Sequence, residues 1–215
     1  MYKLIIFDLD GTLLNTLDDL AAASNYALKE FGLQTHEAQS YKTFVGDGVY
    51  KLVERMLPEN QRDEETKIKV KAVFDEYYKE HSLDYTKPYE GILAALEHFK
   101  IRGVKAAVVS NKPHAFTKTL VRNMFGEYIQ VAYGQREGIP TKPNPAAVLE
   151  VIEEFGYEKE ECIYVGDTDV DIYTGKNAGL KVVGVLWGFR TKEELIKAGA
   201  DYIALEAQDL YEIIK

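Results

Sequence analysis

Two kinds of apolar patterning alternate along this chain, and the change-over points divide it. Residues 3–7 are a short, mostly apolar run ending at Phe7, the pattern of a strand buried on both faces. Beyond residue 14 the period changes. Leu17, Leu20, Ala21, Ala23, Ser24, Ala27, Leu28 and Phe31 recur at helical spacing, with Gly32 as the C-terminal cap. Thr35 is suited to cap a short second helix. Phe44-Val45-Gly46-Asp47-Gly48 reads as a glycine-flanked turn leading into a helix over 49–56. Ile68, Val73, Phe74, Tyr77 and Tyr78 mark a further helix over 64–81. Between residues 15 and 83 the pattern predicts helix after helix and no strand.

From Lys87 onward strands and helices alternate. Pro88-Tyr89-Glu90-Gly91 introduces a helix to Ile101, and strands are predicted at 104–109, 129–132, 162–165, 182–186 and 200–204. Helices are predicted between and after them at 113–124, 144–155, 169–178, 192–198 and 209–214. Such alternation implies a parallel sheet covered on both faces, so the fold class is α/β with a doubly wound parallel sheet. The first strand belongs to that sheet, which makes the helical stretch an insertion. The expected division is a Rossmann-like core of residues 1–14 and 86–215 and a small helical domain of residues 15–85. Its junctions, near 15–17 and 83–87, are expected to form a two-stranded hinge.

Composition narrows the partners. The 215 residues carry 26 basic and 35 acidic side chains, a net charge of −9, which argues against nonspecific nucleic-acid binding. An anionic substrate must then be held by local cations. The single cysteine, Cys162, lies in the apolar run Cys162-Ile163-Tyr164-Val165 and reads as a small core residue. No apolar run approaches membrane-spanning length, and the first residues lack a signal-peptide pattern, so the expected location is cytoplasmic.

Candidate chemistry gathers where strands end. Asp8 and Asp10 follow the first strand and precede Gly11, and ligands of open α/β sheets bind outside the carboxyl ends of strands. Two carboxylates there need a cation or a proton. The plainer alternative is a surface turn in which Asp8 caps a helix. Ser110-Asn111 follows the strand ending at Val109 and is read as the N-terminus of a helix, where phosphate is held by free N–H groups; Ser110 could equally be a bare cap. Lys142 precedes a helix stiffened by Pro143 and Pro145, and alone would be a solvated charge. Gly166-Asp167-Thr168-Asp169-Val170-Asp171 ends another buried strand, with Thr168 or Asp169 as plausible caps and Asp167 harder to dismiss. In one cleft, Asp8, Asp10 and Asp167 would suit Mg²⁺, with Ser110 and Lys142 left for phosphate oxygens. Together these groups make a phosphoryl-transfer site.

The four segments Asp8-Leu9-Asp10-Gly11-Thr12, Ser110-Asn111, Lys142-Pro143 and 166–171 resemble the four signature motifs of the haloacid dehalogenase superfamily of phosphohydrolases. The helical insertion resembles that superfamily's small cap. The turn at 44–48 and Val185-Leu186-Trp187-Gly188-Phe189-Arg190 are similar to its phosphoglycolate phosphatase-like branch. The resemblance implies that Asp8 attacks phosphorus to form an aspartyl-phosphate, and that Asp10 protonates the leaving oxygen and then activates water. It implies that Thr12, Ser110 and Asn111 bind phosphate and Lys142 neutralises charge. Mg²⁺ would be held by Asp8, the Asp10 carbonyl and Asp167, with support from Asp171. Gly46, Asp47 and Gly48 are expected to face the leaving group. Asn15 stands where many relatives carry aspartate, and is read as a change at the hinge. The second aspartate, Asp10, counts against dehalogenase chemistry. The implied substrate is a small phosphorylated metabolite: phosphoglycolate first, then pyrophosphate, a sugar phosphate or a nucleotide. A sugar-phosphate mutase and a non-catalytic phosphate-binding protein rank lower, and a monomer or weak homodimer is expected.

Overall fold

The computed structural model describes residues 1–215. The alternating segments form one six-stranded parallel sheet. It comprises β1 (Leu4–Phe7), β4 (Lys105–Pro113), β5 (Val131–Gln135), β6 (Cys162–Gly166), β7 (Lys181–Val185) and β8 (Tyr202–Ala204), ordered β5-β4-β1-β6-β7-β8. The chain builds outward from β1 in both directions, so the switch point of the sheet lies at the end of β1, beside Asp8. Period-two alternation sends the strand residues into two separate cores. Ile5 and Phe7 join the cluster formed with α5 (Ile92–Ile101), α6 (His114–Phe125) and α10 (Asp209–Ile213). Leu4 and Ile6 join the opposite cluster, formed with α7 (Ala146–Phe155), α8 (Asp169–Ala178) and α9 (Lys192–Ala198).

The inserted segment folds around a third apolar cluster of its own. Leu20, Leu28, Tyr41, Val53, Phe74 and Tyr78 are buried there, from α1 (Leu17–Glu30), α2 (Tyr41–Phe44), α3 (Val49–Met56) and α4 (Glu64–His81). Its two junctions pair as antiparallel β2 (Leu14–Asn15) and β3 (Lys87–Pro88), with Asn15 opposite Lys87. Asp19 in the first turn of α1, 1% exposed, accepts hydrogen bonds from Tyr85 N (3.0 Å), Thr86 N (2.8 Å) and Thr86 Oγ1 (2.7 Å). One buried carboxylate therefore ties the return strand to the first helix of the insertion.

Three local expectations are corrected. Thr35 caps nothing: the chain enters α2 through a short 3₁₀ turn, Ala38–Ser40, preceded by Glu37. Ser110 is not at a helix N-terminus, because β4 continues through Pro113 and α6 begins only at His114. Polar residues read as the end of a strand, but the strand resumes pairing after a register shift between Val109 and Pro113, with Pro113 opposite Gln135. The helix expected from residue 144 starts at Ala146, with Asn144 Oδ1 accepting the Ala146 N–H at 3.0 Å.

Candidate active site

Every expected core motif reaches the same edge of the sheet. Asp8 leaves β1 and is 6% exposed, and its N–H bonds Val165 O at 2.9 Å, which fixes it beside the end of β6. The following loop turns back at Gly11 (φ +89°), whose N–H bonds Leu14 O at 2.9 Å. A side chain at Gly11 would run into the Asp167 carboxylate, so both the conformation and the space require glycine. Asp167 and Asp171, at the end of β6 and the first turn of α8, are fully buried.

Oxygens of Asp8, Asp167 and Asp171 lie within 4.8 Å of one another. The compensating charge in their midst is Lys142, whose Nζ donates to Asp8 Oδ1 and Asp171 Oδ1, both at 2.7 Å, and to Tyr164 OH at 3.2 Å. Burial alone would lower the Lys142 ammonium, but Asp171 and then Asp8 outweigh it and hold it well above its usual range. The carboxylates remain in excess. Burial, followed by the charge of Asp171, pushes Asp8 up to about 7 against the pull of Lys142. Asp167 is pushed well above the carboxylate range by burial and then by Asp171 and Asp8, even though Phe189 N and Thr12 Oγ1 donate to it at 2.9 Å each. Three buried acids, two of them bonded to one ammonium and all hard oxygen donors, fit a small divalent cation such as Mg²⁺.

Asp8 and Asp10 also line a cavity of about 50 Å³, partly open to solvent, between the sheet edge and the helical insertion. Ser110, Asn111, Lys112 and Pro113 form its other core wall, and Leu20, Val45, Gly46, Gly48, Val49, Leu52, Phe74 and Tyr78 its helical wall.

A family model described as haloacid dehalogenase-like hydrolase matches residues 5–185. The chain belongs to that family. Among curated proteins it is 39% identical to a phosphoglycolate phosphatase of Aquifex aeolicus over 87% of this chain and 86% of that protein. It is 31% identical to one of Haemophilus influenzae over 99% and 98% of the two chains. The crystal structure of a candidate phosphoglycolate phosphatase from Lactobacillus delbrueckii subsp. bulgaricus superimposes with a TM-score of 0.95 at 34% identity, covering 99% of this chain and 98% of that one.

Within this haloacid dehalogenase-like hydrolase some residues meet partners other than those expected of them. Thr12 faces Asp167 rather than the cavity and spends its hydroxyl there. Asn111 lines the cavity, but its amide is a brace: Oδ1 accepts from Lys142 N at 2.9 Å, and Nδ2 donates to Lys142 O and Gly46 O at 3.2 Å. Asp47 points away from the cavity and pairs with Arg55, while Gly46 and Gly48 do line it. Gly48 (φ +86°) brings the loop so near the core that a Cβ would sit 3.2 Å from Asn111 O. Asp171 has two roles, since its Oδ2 accepts from Thr168 N and Thr168 Oγ1 in a capping box while Oδ1 serves Lys142.

Reading by motif missed Lys112, Tyr78 and Tyr164. Lys112 Nζ bonds Asp10 Oδ1 at 3.0 Å and Oδ2 at 3.2 Å and stands 4.7 Å from the centre of the Tyr78 ring. Lys112 follows Ser110-Asn111 in a stretch where the pairing of β4 is irregular and consecutive residues line the cavity, so strand periodicity gave no signal for it. Tyr164 sits in an apolar run, and nothing local distinguishes its buried hydroxyl, which donates to Val109 O at 3.3 Å.

Proposed function

We propose that this hydrolase is a metal-dependent phosphatase acting on a small phosphomonoester of the phosphoglycolate type. The observation that carries the reading is the buried cluster of Asp8, Asp167 and Asp171 around Lys142, opening into the cavity through Asp8. The names of the relatives from Aquifex aeolicus and Haemophilus influenzae support the substrate class.

In the first step an Asp8 oxygen attacks phosphorus, the bond to the leaving oxygen breaks, and that oxygen takes a proton from Asp10. In the second step water attacks the same phosphorus, gives its proton to Asp10, and the Asp8–phosphorus bond breaks to release inorganic phosphate. Asp10 suits the exchange of protons because it borders the cavity beside Asp8. Lys142 holds the Asp8 carboxylate in place and balances phosphoryl charge. Asp8, Asp167 and Asp171, with the Asp10 carbonyl, would hold Mg²⁺, which supplies positive charge against the phosphoryl oxygens. Ser110 offers the one neutral hydroxyl of the core wall. The helical segment 15–85 acts as a cap that closes the leaving-group side, with Gly46 and Gly48 as its contact loop.

The test is phosphate release from phosphoglycolate, pyrophosphate, sugar phosphates and nucleotides, with Mg²⁺ and with chelator. Release is expected to require metal, to favour phosphoglycolate, and to fall by about a thousandfold or more in Asp8→Asn, the range of losses seen when a nucleophile is removed. Near-normal turnover by Asp8→Asn would overturn the nucleophile assignment.

A further inference from the structure

The cavity has a polar feature that the phosphoryl chemistry does not use. Of the residues lining it, Lys112 is the one that carries a positive charge, and its side chain is only 4% exposed. An ammonium has three N–H donors. Asp10 accepts from Lys112 Nζ through both oxygens, and the Tyr78 phenol stands beside the same ammonium, whose charge offsets part of the upward push of burial on the phenol. Across from it, Tyr78 also lines the cavity, is 2% exposed, and has a hydroxyl with no hydrogen-bond partner. A buried polar group left unpaired is costly, and the Tyr78 hydroxyl, beside the ammonium in the cavity wall, points to an absent ligand. Asp75, the remaining acid on the helical wall, pairs with Lys71 through Oδ2 and leaves Oδ1 buried without a partner.

We infer that Lys112 and Tyr78 form the subsite that selects a carboxylate on the leaving group. The inference rests on the phosphatase reading and deepens it by naming the residues that choose the substrate. A carboxylate accepts from an ammonium and a phenol together, and would share the Lys112 ammonium with Asp10. Geometry sets its distance from phosphorus. Lys112 touches the carboxylate of Asp10, the group that protonates the leaving oxygen, and hydrogen bonds span about 2.8 Å. The selected anion must therefore lie within a few bonds of the leaving oxygen, as in a two-carbon 2-hydroxy acid ester. The surrounding wall of Leu20, Val49, Leu52 and Phe74 is apolar and offers a longer polar leaving group few partners beyond Asn111 and Asp75. Lys112 comes from the core and Tyr78 from α4 of the insertion, so the subsite is complete only when both face the cavity.

The test compares 2-phosphoglycolate with 2-phosphoglycolamide, which has the same size and lacks the charge. The Mg²⁺-loaded wild-type enzyme is expected to favour the acid at least tenfold in kcat/KM, chiefly through KM. Lys112→Met should abolish that preference, and Tyr78→Phe, which removes only the hydroxyl, should reduce it several-fold, chiefly through KM. Equal loss on both substrates in either variant would overturn the subsite, leaving Lys112 as a positioning residue for Asp10. Equal turnover of acid and amide by the wild type would also overturn it, with the phosphatase reading intact. No phosphate release from any ester would instead overturn the phosphatase reading.

Discussion

Asp167 has a hydrogen bond to each oxygen and still lies well above the ordinary carboxylate range, because burial and the charges of Asp171 and Asp8 outweigh the donors from Phe189 and Thr12. A buried acid whose folded pKa is raised binds its proton more tightly folded than unfolded. Its stabilising contribution is full below the unfolded value and is lost as pH rises. Asp8 sets a window for the same effect, from its ordinary 3.8 to about 7. Asp167→Asn keeps an acceptor for Phe189 N–H and a donor for Thr12, and removes one charge from the cluster. In metal-free protein this variant is expected to melt higher than wild type, by a margin larger at pH 8 than at pH 5. With millimolar Mg²⁺ the order should reverse, since only wild type gains the binding free energy of the ion. Differential scanning fluorimetry across pH, with and without Mg²⁺, reads both effects. A lower metal-free melting temperature for Asp167→Asn would mean that the cluster is not carboxylate-rich in the way its geometry implies.

At the scale of elements, the two short strands at the junctions are too brief to be stable alone. What secures them is Asp19, three of whose hydrogen-bond donors lie on the return chain at Tyr85 and Thr86. Hydrogen bonds to a charged acceptor contribute more than neutral ones, and deleting the acceptor also leaves buried donors orphaned. Asp19→Ala is therefore expected to destabilise the protein by about 2–3 kcal/mol, measured by urea unfolding, and to expose residues 83–87 to protease. Loss of under ~0.5 kcal/mol would show that β2 and β3 hold without the clasp. The extension of β4 through Pro113 is the other consequential element. Its irregular pairing between Val109 and Pro113 leaves Ser110, Asn111 and Lys112 together on the wall of the cavity.

At the scale of the whole molecule, the helical insertion meets the core beyond the junctions through several side chains, among them Phe116, Phe189 and Arg190. Phe189, from the loop after β7, packs into the insertion's own apolar cluster and is 8% exposed. Its neighbour Arg190 donates to the carbonyls of Lys42 and Val45, next to the Gly46–Gly48 turn. Asn111 reaches Gly46 O from the other side. Phe189 N also donates to Asp167, so one loop touches both the acidic cluster and the insertion. Arg190→Ala is expected to raise amide hydrogen exchange several-fold across residues 41–48 and to leave β1 and β6 unchanged. Unchanged exchange at 41–48 would assign the contact to Phe189 and Asn111 instead.

The family, the alternating α/β architecture and the meeting of Asp8, Asp10, Lys142 and Asp167 at one sheet edge were legible in the residues alone. Buried parallel strands announce themselves as apolar runs, and a charged residue directly after such a run must find a partner. The local identities of Gly11 and Gly48 were legible as turns for the same kind of reason, since a positive φ depends on the residue itself. Tertiary structure decided what each polar group bonds. It turned Thr12 toward Asp167, Asn111 toward Gly46 and Lys142, and Asp47 toward Arg55, and it brought Tyr78 over Lys112. Apolar periodicity fixes which face of an element is buried. The partner of a buried hydroxyl, amide or ammonium depends on contacts between residues up to 155 positions apart, as for Thr12 and Asp167, and no local pattern carries that information.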